Sequence, residues 1–426
     1  MNKRQAAIFV GLGFGDCGKG ATTDYWARRH GASLIIRFNG GPQCGHSVCT
    51  ADGRHHTFAQ FGSGTFAGAA THLSRFMLIN PLNLATEEKH LREIGVTDAF
   101  ETLTVDEGCV VITPFQRALN RLTEWSRGAK AHGSCGQGVG QARSDQIECG
   151  DRVLYAGDLR DEKMARSKLE FLQQRARHLA QEINPDLLTH VKESSQQFAV
   201  IFDDGVVDWL LREYAKVPLR IVVADHFKLL MERHERVVFE GGQGVLLDET
   251  YGTAPFNTWT DTTCRNATRL LSEVGYDGTV RRIGVLRTYF TRHGNGPFPT
   301  EDWRLAAFLP EKHNSGVGFQ GEFRRGHFDA VAARYALNVS GGVSEIALTH
   351  IDALSRMCGT RIRIDEKGPA DFVCESGDPT EFIDRIEKLL RVPVTIVSSG
   401  PTAADRAERG PVQGDNLHRG ARLSLR

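Results

Sequence analysis

The chain has 426 residues, of which 40% are hydrophobic and 24% charged, and its 52 basic residues balance its 52 acidic ones. That is the composition of an ordinary globular protein, long enough for one large core with appended subdomains. A net charge of zero gives no electrostatic case for a nucleic-acid or anionic-membrane partner, although local phosphate sites remain open to it.

The start, Met1-Asn2-Lys3-Arg4-Gln5, runs straight into an apolar strand and lacks the h-region and cleavage site of a secretion signal. No apolar run of about 18 residues argues for a membrane span. Nine cysteines at scattered spacings read as reduced thiols in the cytoplasm, and none has the Cys/His spacing of a zinc site.

In chain order, residues 6–10 form the first predicted strand, followed by a glycine-rich turn and a helix through Arg29. Residues 34–38 form the second strand, ending in a further glycine cluster. Residues 160–188 read as one long helix with Leu169, Phe171, Leu172 and Leu179 on its buried side. With residues 198–227 it forms an inserted helical region around 100–230. Further strands follow at 237–240, 283–289, 345–349 and 394–397. Short β-branched runs alternating with amphipathic segments predict an α/β fold: a large, mostly parallel central sheet with flanking helices and inserted helical and loop subdomains. Without a Pro/Gly/Ser-rich linker, residues 1–426 read as a single domain. Ligands of such sheets sit beyond the carboxyl ends of the strands, and nearly every predicted strand ends in a glycine or polar cluster.

The first cluster is Gly11-Leu12-Gly13-Phe14-Gly15-Asp16-Cys17-Gly18-Lys19-Gly20. Gly13 to Lys19 has P-loop spacing, in which glycines let backbone N–H groups approach phosphate and a lysine reaches its oxygens. The hydroxyl residue that normally completes the loop and binds Mg²⁺ is replaced by Gly20. Asp16 offers a substitute oxygen, or serves as a base; the sequence leaves both roles open. The second cluster runs Arg37-Phe38-Asn39-Gly40-Gly41-Pro42-Gln43-Cys44-Gly45-His46-Ser47, where His46 supplies a proton donor of near-neutral pKa.

These clusters resemble the adenylosuccinate synthetase family, and the resemblance covers nearly the whole chain. Phe239-Glu240-Gly241-Gly242-Gln243-Gly244, Gly294-Asn295-Gly296-Pro297-Phe298-Pro299-Thr300-Glu301, Thr349-His350-Ile351-Asp352 and Ser399-Gly400-Pro401 continue it in the family's order. It implies a GTP-dependent carbon–nitrogen ligase that phosphorylates the 6-carbonyl of an IMP-like purine nucleotide and displaces the phosphate with an amine, aspartate or another amino acid. Within that implication Asp16 is the base, and Lys19, His46 and Gln243 complete the catalytic group. Gly15, Gly18, Gly20, Gly45 and Ser47 join Asp16, Lys19 and His46 around the triphosphate. Asp16 and the Gly45 carbonyl hold Mg²⁺. Asp352 accepts the guanine N1–H and 2-amino protons, a donor pair that adenine lacks, while His350, Ser399 and Gly400 line the base. A homodimer is implied as well.

The substrate pockets depart from the family pattern. Asn39, Gln43, Gln243 and Thr258 fit acceptor-nucleotide positions, but the family's phosphate loop reads Cys135-Gly136-Gln137-Gly138 here. The arginine that reaches across the dimer falls near Cys149, with Arg143 as its substitute. The amine-donor loop runs Gly318-Phe319-Gln320-Gly321-Glu322-Phe323-Arg324-Arg325 and has lost its leading arginine; Thr300, Gln320, Gly321, Glu322 and Arg324 are its candidate contacts. A Glu322 carboxylate about 4 Å from a bound carboxylate costs on the order of 4 kcal/mol at an effective dielectric near 20. Either Glu322 points away or the amine is not aspartate. These changes favour a specialised paralogue, with the housekeeping reaction of IMP, aspartate and GTP as the alternative and a non-catalytic GTP-binding protein as a further one.

Overall fold

The structure, a computed structural model, describes residues 4–189, 191–311, 319–357, 360–365, 372–374 and 378–410. A buried run of Ala, Ile, Phe and Val builds β1 (Gln5–Gly11), near the middle of a ten-stranded sheet. The other strands are β2 (Leu34–Arg37), β3 (Ala70–Leu73), β4 (Leu103–Asp106), β5 (Ile221–Val222), β6 (Arg236–Glu240), β7 (Thr279–Arg287), β8 (Glu345–Thr349), β9 (Val394–Ser398) and β10 (Arg406–Glu408). Their spatial order is β10-β9-β8-β7-β1-β6-β2-β3-β4-β5. Only the β9–β10 pair is antiparallel.

Alternation along β1 shows why its sequence is apolar throughout. Ala6, Ile8 and Val10 pack into one hydrophobic cluster, Ala7 and Phe9 into another. Both faces of a parallel sheet are covered, so neither set of alternate positions meets water. All six strands expected from the sequence are present, with ends shifted by up to four residues.

Helix α1 (Lys19–His30) follows β1 directly, and α2 (Pro81–Glu93) follows β3. Between β4 and β5 the chain forms α3 (Pro114–Arg127), α4 (Val139–Cys149), α5 (Glu162–Gln181), α6 (Ser194–Phe202) and α7 (Val206–Ala215). Their apolar faces share a cluster that includes Leu122, Leu169, Leu172 and Leu210. The long helix expected over 160–188 is shorter: Asp161 caps its start by accepting from the Lys163 and Met164 amides, and α5 ends at Gln181. Pro185 opens a separate 3₁₀ turn, consistent with its inability to continue a helix. Within α5, Leu169 and Leu172 are buried as expected, while Phe171 and Leu179 are half-buried.

Among the described residues, no helix is long and apolar enough to cross a membrane.

Candidate active site

The carboxyl ends of β1, β2, β6, β7, β8 and β9 all feed loops into one cleft of about 1280 Å³. That exceeds the roughly 300–1,000 Å³ typical of a single small-molecule site, so two substrates have room side by side.

The glycine-rich turn after β1 forms the floor. Gly15 (φ 116°) and Gly18 (φ 85°) take left-handed conformations that side chains disfavour, and Gly18 caps α1. The turn hangs from neighbouring strand ends: the Thr349 hydroxyl donates to the Cys17 carbonyl (2.9 Å) and the Thr291 hydroxyl to the Asp16 carbonyl (3.3 Å). Lys19 is buried, and its ammonium folds back onto the Gly15 carbonyl at 2.5 Å. Gly20 explains the missing hydroxyl residue. A Cβ there would lie 2.5 Å from His46 Cβ and 2.9 Å from Ser63 Oγ, so a serine or threonine is sterically excluded.

Asp16 is about a third exposed to the cleft and pairs with Arg287 at the end of β7, with Nη2–Oδ1 at 3.0 Å. Burial opposes its ionisation, but Arg287, His293, His350 and Lys19 together hold its pKa below the usual carboxylate value. Arg287 also reaches Glu311 (3.4 Å) and the Tyr289 hydroxyl (2.9 Å).

His46 opens a two-stranded hairpin with residues 55–58 directly above Gly20. Its Nδ1 lies 2.6 Å from Glu240 Oε1 at the end of β6. Glu240 also accepts from the Ser63 amide (2.9 Å) and hydroxyl, and its register partner on β2 is Arg37. Despite burial, Arg37 and His46 hold Glu240 down to about 2. A carboxylate only accepts, so Nδ1 carries the ring proton and Nε2 is left for the cleft. Burial, with Arg37 and Lys19 alongside, pushes His46 down to about 4 against the pull of Glu240. The two shifts describe a neutral imidazole donating to an ionised carboxylate.

At the other end of the sheet, His350 (φ 61°) and Asp352 follow β8, and Gly400 and Pro401 follow β9; all four line the cleft. Asp352 pairs with Arg356 one helical turn on, at 2.5 Å. Ser399 is exposed, hydrogen-bonds Asp405 and stays out of the lining.

Of the other expected site residues, Gly45, Ser47, Gln43, Cys135, Gln243, Thr258 and Gln320 line the cleft. Gln43 Oε1 is buried without a partner among the described residues. Asn39, Gly136, Arg143, Thr300, Gly321, Glu322 and Arg324 are outside the lining. Asn39 uses both ends of its amide internally, donating to the Asp261 carbonyl (2.8 Å) and accepting from the Gly242 amide (2.7 Å). Arg143 turns to Gln146 on its own helix. Arg324 is committed to Glu301 and to the Gly294 and Gly296 carbonyls. Glu322 is exposed, which removes the repulsion expected of it. Gly318, at the head of that loop, lies outside the described residues. The sequence reading missed Arg287, His293, Glu311 and Glu240 as site members. Arg287, His293 and Glu240 each end a strand, a signal that only the strand order turns into proximity, while Glu311, beyond the 3₁₀ turn Trp303–Ala307, has none.

Among the described residues, no group of three or more His, Cys, Asp or Glu side chains could hold a metal ion by itself. Asp16 and the Gly45 carbonyl both line the cleft and offer only oxygen, the donor type Mg²⁺ takes when phosphate completes its shell.

A family model described as adenylosuccinate synthetase matches residues 8–365. The adenylosuccinate synthetase of Mycobacteroides abscessus is 32% identical over 359 residues, 83% of this chain and 78% of that protein. That of Acidithiobacillus ferrooxidans is 31% identical over 364 residues, 84% of this chain and 80% of that protein. Among solved structures, the fully ligated adenylosuccinate synthetase of Plasmodium falciparum has the same fold, with a TM-score of 0.75 and 19% identity, covering 95% of this chain and 99% of that one. So has the succinoaminodeoxyadenylate synthetase of cyanophage S-2L, bound to dGMP and to dATP as an energy donor, with a TM-score of 0.64 and 20% identity over 95% of each chain.

Proposed function

The chain belongs to the adenylosuccinate synthetase family of GTP-dependent carbon–nitrogen ligases, and from that premise we propose that it aminates carbon 6 of a purine-like nucleotide by way of a 6-phosphoryl intermediate. Asp16 removes the N1 proton, and the 6-oxygen attacks the γ-phosphorus of GTP. The bond from that phosphorus to its bridging oxygen breaks, and GDP departs. An amine then adds at carbon 6, inorganic phosphate leaves with the C–O electron pair, and the nitrogen gives up a proton to solvent. Phosphorylation turns a poor leaving group into a good one. Positioning and charge neutralisation carry most of the rate.

Lys19 acts on the triphosphate, and so does His46 once phosphate charge favours its protonation at Nε2, with Glu240 still accepting from Nδ1. Mg²⁺ would be held there by Asp16 and the Gly45 carbonyl, and would supply further neutralisation of phosphate charge. Gln43, Gln243, Cys135 and Thr258 contact the acceptor, and Asp352 with His350 and Gly400 receives guanine. The partners are small molecules, and the chain works as a cytoplasmic homodimer.

One observation carries this reading. A carboxylate in the phosphate loop, ringed by basic groups, opens on the same cleft as an imidazole whose tautomer a buried carboxylate sets. Guanine binding alone needs neither group, which counts against a non-catalytic role.

The acceptor and amine ends differ most from the family, and a specialised substrate pair is our primary reading. Arg324, the arginine left in the amine loop, is tied to Glu301. The exposure of Glu322 supports the alternative, aspartate with inosine monophosphate, because its carboxylate is then not held against the donor. An assay of GDP release with GTP, Mg²⁺ and a panel of purine nucleotides and amino acids separates them. Release should require both substrates and vanish in Asp16→Asn. Full turnover on inosine monophosphate and aspartate would sink the specialised reading, and amine-independent GDP formation would replace the ligase with a kinase.

A further inference from the structure

Beyond the phosphate-loop lysine, the cleft holds a second permanent cation beside the reacting groups. Arg287 ends β7, the strand hydrogen-bonded to β1, so the sheet itself delivers its guanidinium to the phosphate loop. It is buried, with 5% of its side chain exposed, yet lines the cleft. Its charge is divided between Asp16 (3.0 Å) and Glu311 (3.4 Å), and it donates to the Tyr289 hydroxyl. The other cleft arginines are committed elsewhere. Arg127 pairs with Glu124, Arg292 donates to the Asn295, Pro297 and Phe256 carbonyls, and Arg406 donates to the Thr402 carbonyl.

Resting on the ligase reading above, we infer that Arg287 is a catalytic residue that exchanges its contact with Asp16 for the phosphoryl group passing from GTP to the acceptor oxygen. The exchange follows from charge and geometry. While Arg287 holds Oδ1, Asp16 is not free to meet the acceptor proton. Entry of a triphosphate places several negative charges beside both groups and offers the guanidinium a stronger partner. The transferring group spreads charge over its equatorial oxygens as the bond to GDP breaks and the bond to the 6-oxygen forms. A planar fork with parallel N–H donors matches two of those oxygens, which a single ammonium does not. Release of Asp16 and neutralisation of the phosphoryl group thus become one movement. Glu311 keeps the guanidinium at the cleft wall throughout, and burial keeps its field from being screened.

The test uses the full-length protein with whichever acceptor and amine give GDP release in the wild type. Arg287→Met should lower kcat at least about 100-fold. The directly measured GDP affinity should stay within about threefold, because GDP lacks the moving group on which the residue acts. Arg287→Lys should recover at least about tenfold over methionine, since it restores charge without the fork. Should Arg287→Met fail to fold, it is made together with Glu311→Gln, which removes the repulsion between stranded carboxylates, and is read the same way. The inference is overturned if kcat falls less than about tenfold, if GDP affinity falls in step with kcat, or if lysine restores nothing. A wild type that releases no GDP with any pair sinks the ligase reading itself, a different result from an active wild type with an indifferent Arg287.

Discussion

At position 20, a missing side chain separates this phosphate loop from the common P-loop, and the reason is contact. The backbone of Gly20 passes beneath His46, so Gly20→Ser does not restore a metal-binding hydroxyl; it drives a Cβ into the Cβ of His46, whose ring Glu240 holds in place. Overpacking of this kind costs about 1–3 kcal/mol. Gly20→Ser should therefore lose stability by that amount in urea titration and lose most of its turnover. A variant with wild-type kcat would show that the hairpin yields freely and that the glycine is not required. The residues that announce themselves here do so locally: Asp16, Lys19 and His46 sit in glycine clusters whose spacing already implies phosphate. Arg287 carries no such signal, and Glu240, although it opens the glycine cluster 240–244, carries none that points to His46. Each is a charged residue at the end of an apolar strand, and its meaning comes from the strands beside it, β1 for one and β2 for the other.

Elements divide along the same line. The six strands read from the sequence are those buried well enough to be apolar, and they are the ones whose ends build the cleft. The strands that went unseen are β3, β4, β5 and β10, which include both edges of the sheet. β3 and β4 carry Thr71, His72 and Thr104, polar residues that are buried nonetheless, and β5 has only two residues. Neither apolar periodicity nor length marks such segments. Of the helices between β4 and β5, the sequence marks α5 and the stretch 198–227, with the ends of α5 displaced by a cap at Asp161 and by Pro185, while α3 and α4 fall only within the broad helical region around 100–230. Their cluster stabilises the sheet edge without lining the phosphate loop. Leu169 on α5 is fully buried in it. Leu169→Ala should cost about 2–5 kcal/mol by transfer and cavity formation. GDP affinity, measured well below the unfolding transition, should be unchanged; a parallel loss of binding would mean that this helical region shapes the nucleotide site.

On the scale of the whole molecule, formal charge is balanced at neutrality, and 16 histidines wait to add positive charge on acidification. Which of them resist decides the acid limb of stability. His72 on β3 is completely buried, 3.0 Å from the Thr104 hydroxyl and stacked on Phe227, and its Nε2 has no partner among the described residues. Burial, with His226 nearby, pushes it down to about 3. A histidine whose folded pKa lies below its unfolded value of about 6.5 binds protons more readily in the unfolded chain. The stability it allows is complete above pH 6.5 and is drained as pH falls toward 3, because unfolding then takes up a proton. By pH 4 this amounts to roughly 3 kcal/mol, at 1.36 kcal/mol per unit of separation. Glutamine keeps a donor for Thr104 and cannot titrate. Between pH 7 and 4, His72→Gln should therefore lose roughly 3 kcal/mol less than the wild type in urea titrations, whatever its absolute stability. Parallel curves for the two proteins would show that water reaches the imidazole in the folded state and that the sheet around β3 opens to solvent.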